Sequence, residues 1–202
     1  MRKHVILATL CSLALTACHD SGIVSTESLL REMISEDAVA TVPSPYYKTC
    51  QVSSYDRRTV SPDQAGWFAN DDGFGFERLD TLDGRVEKVL FEEEGPGVVT
   101  RIWMTTRNKK GTLRFYLDGS GTPDIVVPAY DMTKFPVETG ESLSLTHTHY
   151  DGNLEGVGGN TFFFPIPFAK SCRITLEEPG HHAVRREVRV LFRDVVLGPG
   201  YD

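Results

Sequence analysis

The sequence lacks the short motifs that mark several large enzyme classes. It contains no Gly-x-Ser-x-Gly elbow, no P-loop and no dinucleotide-binding fingerprint, so serine-hydrolase and nucleotide chemistry have no support. It also has no Cys-x-x-Cys pair and no His-Glu-x-x-His motif. A metal site needs three or more ligands, and only His147, His149 and Asp151 come near that pattern. We therefore predict no metal and no cofactor.

The chain is also poor in positive charge and in long apolar segments. Lys and Arg number 21 against 28 Asp and Glu, which gives a formal net charge of -7. Phosphate binding requires concentrated Lys and Arg, so nucleic acid is not expected as a partner. Beyond the first 18 residues, no segment is long and apolar enough to cross a membrane as a helix.

The first 18 residues have the pattern of an export signal. Arg2, Lys3 and His4 precede an apolar run, which ends in Leu15-Thr16-Ala17-Cys18. This tetrapeptide resembles the lipobox of bacterial lipoproteins, in which the cysteine receives acyl chains and the signal is removed before it. We expect a signal peptide over 1–17, lipidation of Cys18 and a location in the cell envelope, held at the membrane by lipid. The alternative is an ordinary cleaved signal with a chance cysteine.

Cysteine is scarce in the remainder. Cys11 would leave with the signal and Cys18 would carry lipid, so Cys50 and Cys172 remain. In an oxidising compartment these two could form a disulfide. The alternative is that each is a small buried apolar residue, and the sequence alone leaves both open.

The mature chain divides into a tether and a β domain. Residues 18–45 contain polar tether and a single expected helix, Ser28–Ile34, with Ser25 or Thr26 as its N-cap. Residues 46–202 show short β-branched and aromatic runs separated by Gly and Pro, which predict an all-β jelly-roll sandwich. The expected strands are 86–91, 98–105, 112–117, 124–128, 161–164, 171–177 and 187–193, with 112–117 as the neighbour of 98–105.

A loop between two glycines, Gly66–Gly75, has the residue types of a sugar site. Trp67 can stack on the apolar face of a sugar ring, while Asn70, Asp71 and Asp72 can bind its hydroxyls. The same oxygens would also suit calcium, and an Asx-type turn with its aromatics in the core is a third interpretation. In the acidic run Glu92–Glu94, we expect one or two side chains to point to solvent.

Several stretches together resemble one family, glycoside hydrolase family 172. The resemblance covers roughly residues 50–178, and its most specific piece runs Gly-Pro-Gly-Val-Val-Thr-Arg-Ile-Trp-Met. It is carried by Ser53–Arg58, Trp67–Asp72, Glu94–Met104, Leu113–Gly119 and Phe162–Ile174. The resemblance implies paired jelly rolls in homo-oligomers that act on α-D-fructofuranosides, including difructose anhydrides, or on D-arabinofuranosides. A furanose-containing glycan is then the expected ligand.

The resemblance covers only the N-terminal portion of the family. The glutamates that serve the family as nucleophile and acid/base lie beyond it, so no catalytic residue is assigned here and the pair is expected to be missing. The residues after Glu178 depart from the family pattern, and we expect a truncated or frameshifted product. The functions to compare are therefore a retaining furanosidase, a non-catalytic glycan-binding or assembly module, and a surface lipoprotein without a sugar ligand.

Overall fold

The fold is built almost entirely from antiparallel strands. A computed structural model of the chain describes residues 24–43, 46–69, 75–106, 110–151, 154–178 and 188–195, and the predicted signal and Cys18 lie outside these residues. In chain order, the strands are β1 Tyr47–Ser53, β2 Arg78–Leu82, β3 Arg85–Glu94, β4 Gly97–Thr106, β5 Thr112–Leu117, β6 Ile125–Pro128, β7 Ser144–Asp151, β8 Leu154–Phe162, β9 Ile166–Phe168, β10 Ser171–Glu177 and β11 Val188–Val195.

Helical structure is short. Helix α1, Thr26–Met33, begins two residues before the predicted Ser28, and its N-cap is Ser25, one of the two residues predicted for that position. Ser25 and Ser28 form a reciprocal capping box across the first turn. A one-turn helix α2, Gly140–Leu143, was not predicted, since four residues show no helical periodicity. Single 3₁₀ turns occur at Asp37–Val39 and Met132–Lys134. None of the helices in the described part of the chain is long and apolar enough to span a membrane.

The strands form two antiparallel sheets. One sheet has the order β1-β11-β4-β8-β7, with β9 also paired to β4, and the other has the order β2-β3-β10-β5-β6. This arrangement confirms the all-β sandwich that the sequence predicts. One expectation is wrong: β4 and β5 are not neighbours, because the chain crosses to the opposite sheet between them.

The predicted strand 161–164 ends early. Strand β8 stops at Phe162, and the chain pairs again with β4 only from Ile166 onward. Pro165 has no N–H for a ladder, so the interruption follows from its chemistry. On β4 the register with β11 shifts at the same level, leaving Thr100 as an extra residue.

The core lies between the two sheets. In β10, Cys172, Ile174 and Leu176 are buried against it, while the alternate residues face outward. Phe135 follows the second 3₁₀ turn and packs against Phe162 with ring centroids 4.7 Å apart. Other fully buried core side chains are Phe91, Phe115, Ile102, Met104, Leu113 and Met132.

Candidate functional site

The loop that follows β1 carries the predicted aromatic residues. We call residues 54–69 the Trp67 loop, and it contains turns but neither helix nor strand. The Trp67 N–H donates to the Gln64 carbonyl at 3.1 Å, and the Trp67 carbonyl accepts from the Val60 N–H at 2.9 Å. Gly66 lies within the turn that the Trp67–Gln64 hydrogen bond closes, and it has φ +69, a conformation that costs glycine little. The main chain on both sides of Trp67 is therefore hydrogen-bonded.

Trp67 and Phe68 face solvent. Their side chains are 41% and 63% exposed, and the two rings meet edge to face with centroids 5.5 Å apart. The interpretation that placed these aromatics in the core is therefore wrong. An exposed indole beside a second ring provides an apolar surface of the kind on which a sugar ring stacks. Asn70, Asp71 and Asp72, the predicted polar partners, lie outside the described residues.

A buried carboxylate stands at the start of the Trp67 loop. The Asp56 side chain accepts hydrogen bonds from the Arg58 backbone N–H at 3.1 Å and from the Arg58 guanidinium at 2.9 and 2.6 Å. Asp56 is 5% exposed, so this bidentate pair is shielded on the carboxylate side. Sequence reasoning did not single out Asp56, because an Asp-Arg run in a loop resembles an ordinary solvated surface.

A second polar cluster lies on the outer face of the β2-β3-β10-β5-β6 sheet. Glu87 is completely buried there and accepts hydrogen bonds from Thr175 Oγ1 at 2.6 Å and from Tyr116 Oη at 2.9 Å. The guanidinium groups of Arg85 and Arg114 lie 3.3 and 3.7 Å from the same carboxylate. This network was also missed, because each member occupies an outward position in its own strand.

The network determines the ionisation of Glu87. Burial by itself raises the pKa of Glu87, but hydrogen bonds from Thr175, Tyr116 and Arg85 outweigh it and hold the pKa below its usual range. Burial, then the hydrogen bond that Tyr116 donates to Glu87 and the Glu87 charge, raise the pKa of Tyr116. Glu87 is therefore an ionised carboxylate that accepts hydrogen bonds from its neighbours and is enclosed by protein. These properties favour a structural role for it.

The acidic run at the end of β3 is divided between solvent and protein. Glu92 and Glu94 are exposed, and Glu92 pairs with Arg78 of β2. Glu93 lies between them and is half-buried. This confirms the expectation that one or two of the three side chains point to solvent.

The cysteines and histidines form neither a disulfide nor a metal site among the residues that the structure describes. Cys50 and Cys172 are both free thiols, on strands of different sheets, so the disulfide is not present. Burial, and secondarily the Asp118 charge, raises the pKa of Cys172 to about 12. Among the described residues, no group of three His, Cys, Asp or Glu side chains could hold a metal. The side chains of His147, His149 and Asp151 lie outside that description.

The Gly-Pro-Gly run joins the two sheets at one end of the sandwich. The Gly95 N–H donates to the Lys170 carbonyl at 2.6 Å, which ties this turn to the turn before β10. A Cβ at Gly95 would come within 2.9 Å of the Phe168 ring, so a larger residue does not fit without a shift. The most specific stretch of the family resemblance therefore comprises this crossing between the sheets and most of β4.

Comparison with known proteins agrees with this architecture. The family model described as the GH172 first beta-sandwich domain matches residues 45–186, most of the chain, including every strand of both sheets except the last. A search of curated proteins finds no match. The matched region contains both the Trp67 loop and the Gly-Pro-Gly crossing, and it corresponds to the N-terminal portion that the sequence predicts. The chain belongs to glycoside hydrolase family 172, and its β-sandwich is the first such domain of that family.

Proposed function

We propose that this protein is a lipid-anchored, extracytoplasmic, carbohydrate-active protein related to exo-acting glycoside hydrolases, and that it binds an α-D-furanoside at the Trp67 loop. Family membership supports a glycoside-hydrolase-related function. The furanoside, either a fructofuranoside or an arabinofuranoside, follows from the family resemblance. The anchor and location follow from the lipobox-like Leu15–Cys18, and the expected assembly is a homo-oligomer.

The observation that carries the proposal is the exposure of Trp67 on a hydrogen-bonded loop. Sugar sites combine an aromatic face with a few polar groups at fixed positions. Trp67 offers the face, Phe68 stands beside it edge to face, and Asn70, Asp71 and Asp72 follow directly in the sequence. Calcium is a less suitable ligand at Trp67 itself, because an indole ring supplies no oxygen.

The test is a sugar titration with matched variants. Methyl α-D-arabinofuranoside and methyl α-D-fructofuranoside are titrated into the full chain and followed by NMR. Trp67→Ala is expected to weaken binding about tenfold, the equivalent of one aromatic stacking contact. Phe163→Ala is the control, because Phe163 has a similar exposure, 38%, on a different element. Equal affinity of Trp67→Ala and the native chain would refute the proposal.

A non-catalytic binding module is the second candidate. Three buried carboxylates in the described residues are each paired with a cation: Asp56 with Arg58, Glu87 with Arg85, and Glu178 with Lys88. A retaining glycosidase needs two carboxyl groups beside the scissile bond, one of them able to donate a proton. Carboxylates held in ion pairs fit structural roles better. Measuring released sugar in the same titration separates the two candidates, since a module binds without turnover.

A further inference from the structure

The Trp67 loop is long, and its affinity for a sugar depends on how well its conformation is fixed before binding. Sixteen residues of the loop are described, and they pack through turns rather than through a strand or helix. Loops of this length pay a large ordering cost unless their ends are fixed together. An aromatic ring binds a sugar more tightly when the loop that carries it is already ordered in the free protein.

Gly75, which precedes β2, lies against the start of the Trp67 loop, and we call this contact the base of the loop. The Gly75 N–H donates to the Ser54 carbonyl at 3.3 Å, which joins the chain before β2 to the residue that follows β1. A Cβ at Gly75 would collide with the Tyr55 carbonyl and lie 2.9 Å from the Ser54 carbonyl carbon. The contact is thus a close approach of two main chains that glycine permits.

Arg57 bridges the same two segments. Its Nη2 donates to the Ser53 carbonyl at 2.8 Å, and its Nη1 donates to the Gly75 carbonyl at 2.5 Å. The guanidinium also lies 4.8 Å from the centroid of the Tyr55 ring, a cation–π contact. One planar, permanently charged fork therefore joins Ser53, the last residue of β1, to Gly75, which precedes β2. A lysine ammonium lacks the fixed fork that spans two carbonyls.

We propose that Arg57 is a positioning residue that closes the base of the Trp67 loop and thereby holds Trp67 ready for the sugar. The inference rests on the proposed function, because it concerns the same binding loop. Arg57 can act without touching the sugar, because one N–H group on each of its two Nη atoms already donates to a main-chain carbonyl at the base. Ser53 belongs to a strand that pairs fully with β11, so the loop is fastened to the sandwich itself.

The experiment compares Arg57→Gln and Gly75→Ala with Arg31→Gln in the full chain. Arg31 is an exposed arginine of α1 whose ion pair with Glu27 lies in another element. Hydrogen exchange over residues 55–69 reports closure of the loop, and NMR titration with methyl α-D-arabinofuranoside and methyl α-D-fructofuranoside reports binding. Both loop variants are expected to exchange faster in this segment and to bind about tenfold more weakly, the scale of one lost charge-assisted hydrogen bond.

The melting temperature separates a positioning role from a general structural one. It should stay within about 3 °C of the native value in Arg57→Gln, because the two sheets keep their own contacts. Arg31→Gln should match the native chain in all three measurements. Native affinity in Arg57→Gln, with or without faster exchange, would overturn the inference. A native chain that binds neither furanoside would instead overturn the proposed function, and the inference with it.

Discussion

At the scale of single residues, the most unusual group is Glu87. An isolated carboxylate removed from water would take up a proton, yet the donors around Glu87 keep its pKa low. Arg114 is shared between Glu87 and Glu177, and Arg173 lies over the Tyr116 ring with its guanidinium 4.3 Å from the centroid. Long arginine side chains thus cover the carboxylate from the solvent side and supply its counter-charge.

Glu87→Gln should therefore destabilise the fold. The amide keeps the size of the side chain but removes the charge that Arg85 and Arg114 face. It also places an NH₂ group, which can only donate, beside hydroxyl groups that donate to the native carboxylate. We expect a loss of about 2 kcal/mol in the free energy of unfolding, since Arg114 keeps Glu177 as a partner. Urea denaturation measures it. Glu94→Gln, an exposed change in the same strand, should stay within about 0.5 kcal/mol of the native chain.

At the scale of elements, the sandwich is held at one end by contacts between turns. Asp118 and Gly119 both have positive φ, and the Ser120 N–H donates to the Leu117 carbonyl, which makes a tight turn directly after β5 in the connection to β6. The Asp118 carboxylate then accepts the N–H groups of Ala169 and Lys170, both at 2.7 Å. A turn of one hairpin thereby caps the turn that leads into β10.

Asp118→Asn tests this cap through its pH dependence. The backbone N–H of Lys170 is the main cause that lowers the pKa of Asp118. A lowered folded pKa gives stability that is present above the unfolded pKa, about 3.9, and is lost as the pH falls through the folded value. Asparagine tolerates the same φ, so the change should cost about 1 kcal/mol at pH 7, with solvent screening included. The difference from the native chain should then disappear at low pH.

Asp83→Asn is the matched control for that measurement. Asp83 and Gly84 also have positive φ in the hairpin between β2 and β3, but the Asp83 side chain is 84% exposed. Its replacement should change stability by less than about 0.5 kcal/mol at any pH. If thermal unfolding showed the same pH-independent cost for both variants, the charge-dependent cap at Asp118 would be disproved.

At the scale of the whole molecule, the prediction concerns attachment to a membrane. The acyl chains of a bacterial lipoprotein require one atom, the Cys18 sulfur, and several chains on one residue anchor a protein far more firmly than one. Cys18→Ser should abolish acylation and move the protein from the detergent phase to the aqueous phase in a partition assay. A variant at Cys50, which is a thiol within β1, should partition like the native protein. A Cys18→Ser protein that is still acylated would refute the anchor.

Much of the architecture could be predicted because local patterns specify it. β-Branched and aromatic runs place β3, β4, β5 and β10 nearly at their observed bounds, since alternating burial in a sheet requires alternating residue types. The candidate caps Ser25 and Thr26 likewise place the predicted start of α1 within two residues of the observed one. The pairing of the strands was harder to predict from the sequence. β4 and β5 are consecutive, yet they belong to different sheets because the chain crosses between them. Periodicity describes one strand at a time and carries no information on which strands pair.

The sequence by itself determined the family, the fold class and the presence of an aromatic loop, because each follows from motifs or from local residue preferences. Only the tertiary structure decided that Trp67 faces solvent, that Cys50 and Cys172 are free thiols, and that Arg57 joins Ser53 to Gly75 at the base of the loop. The physical reason is that burial and long-range hydrogen bonds depend on which distant segments meet. Ser53 and Gly75 are far apart along the chain, and packing places their carbonyls within reach of one guanidinium.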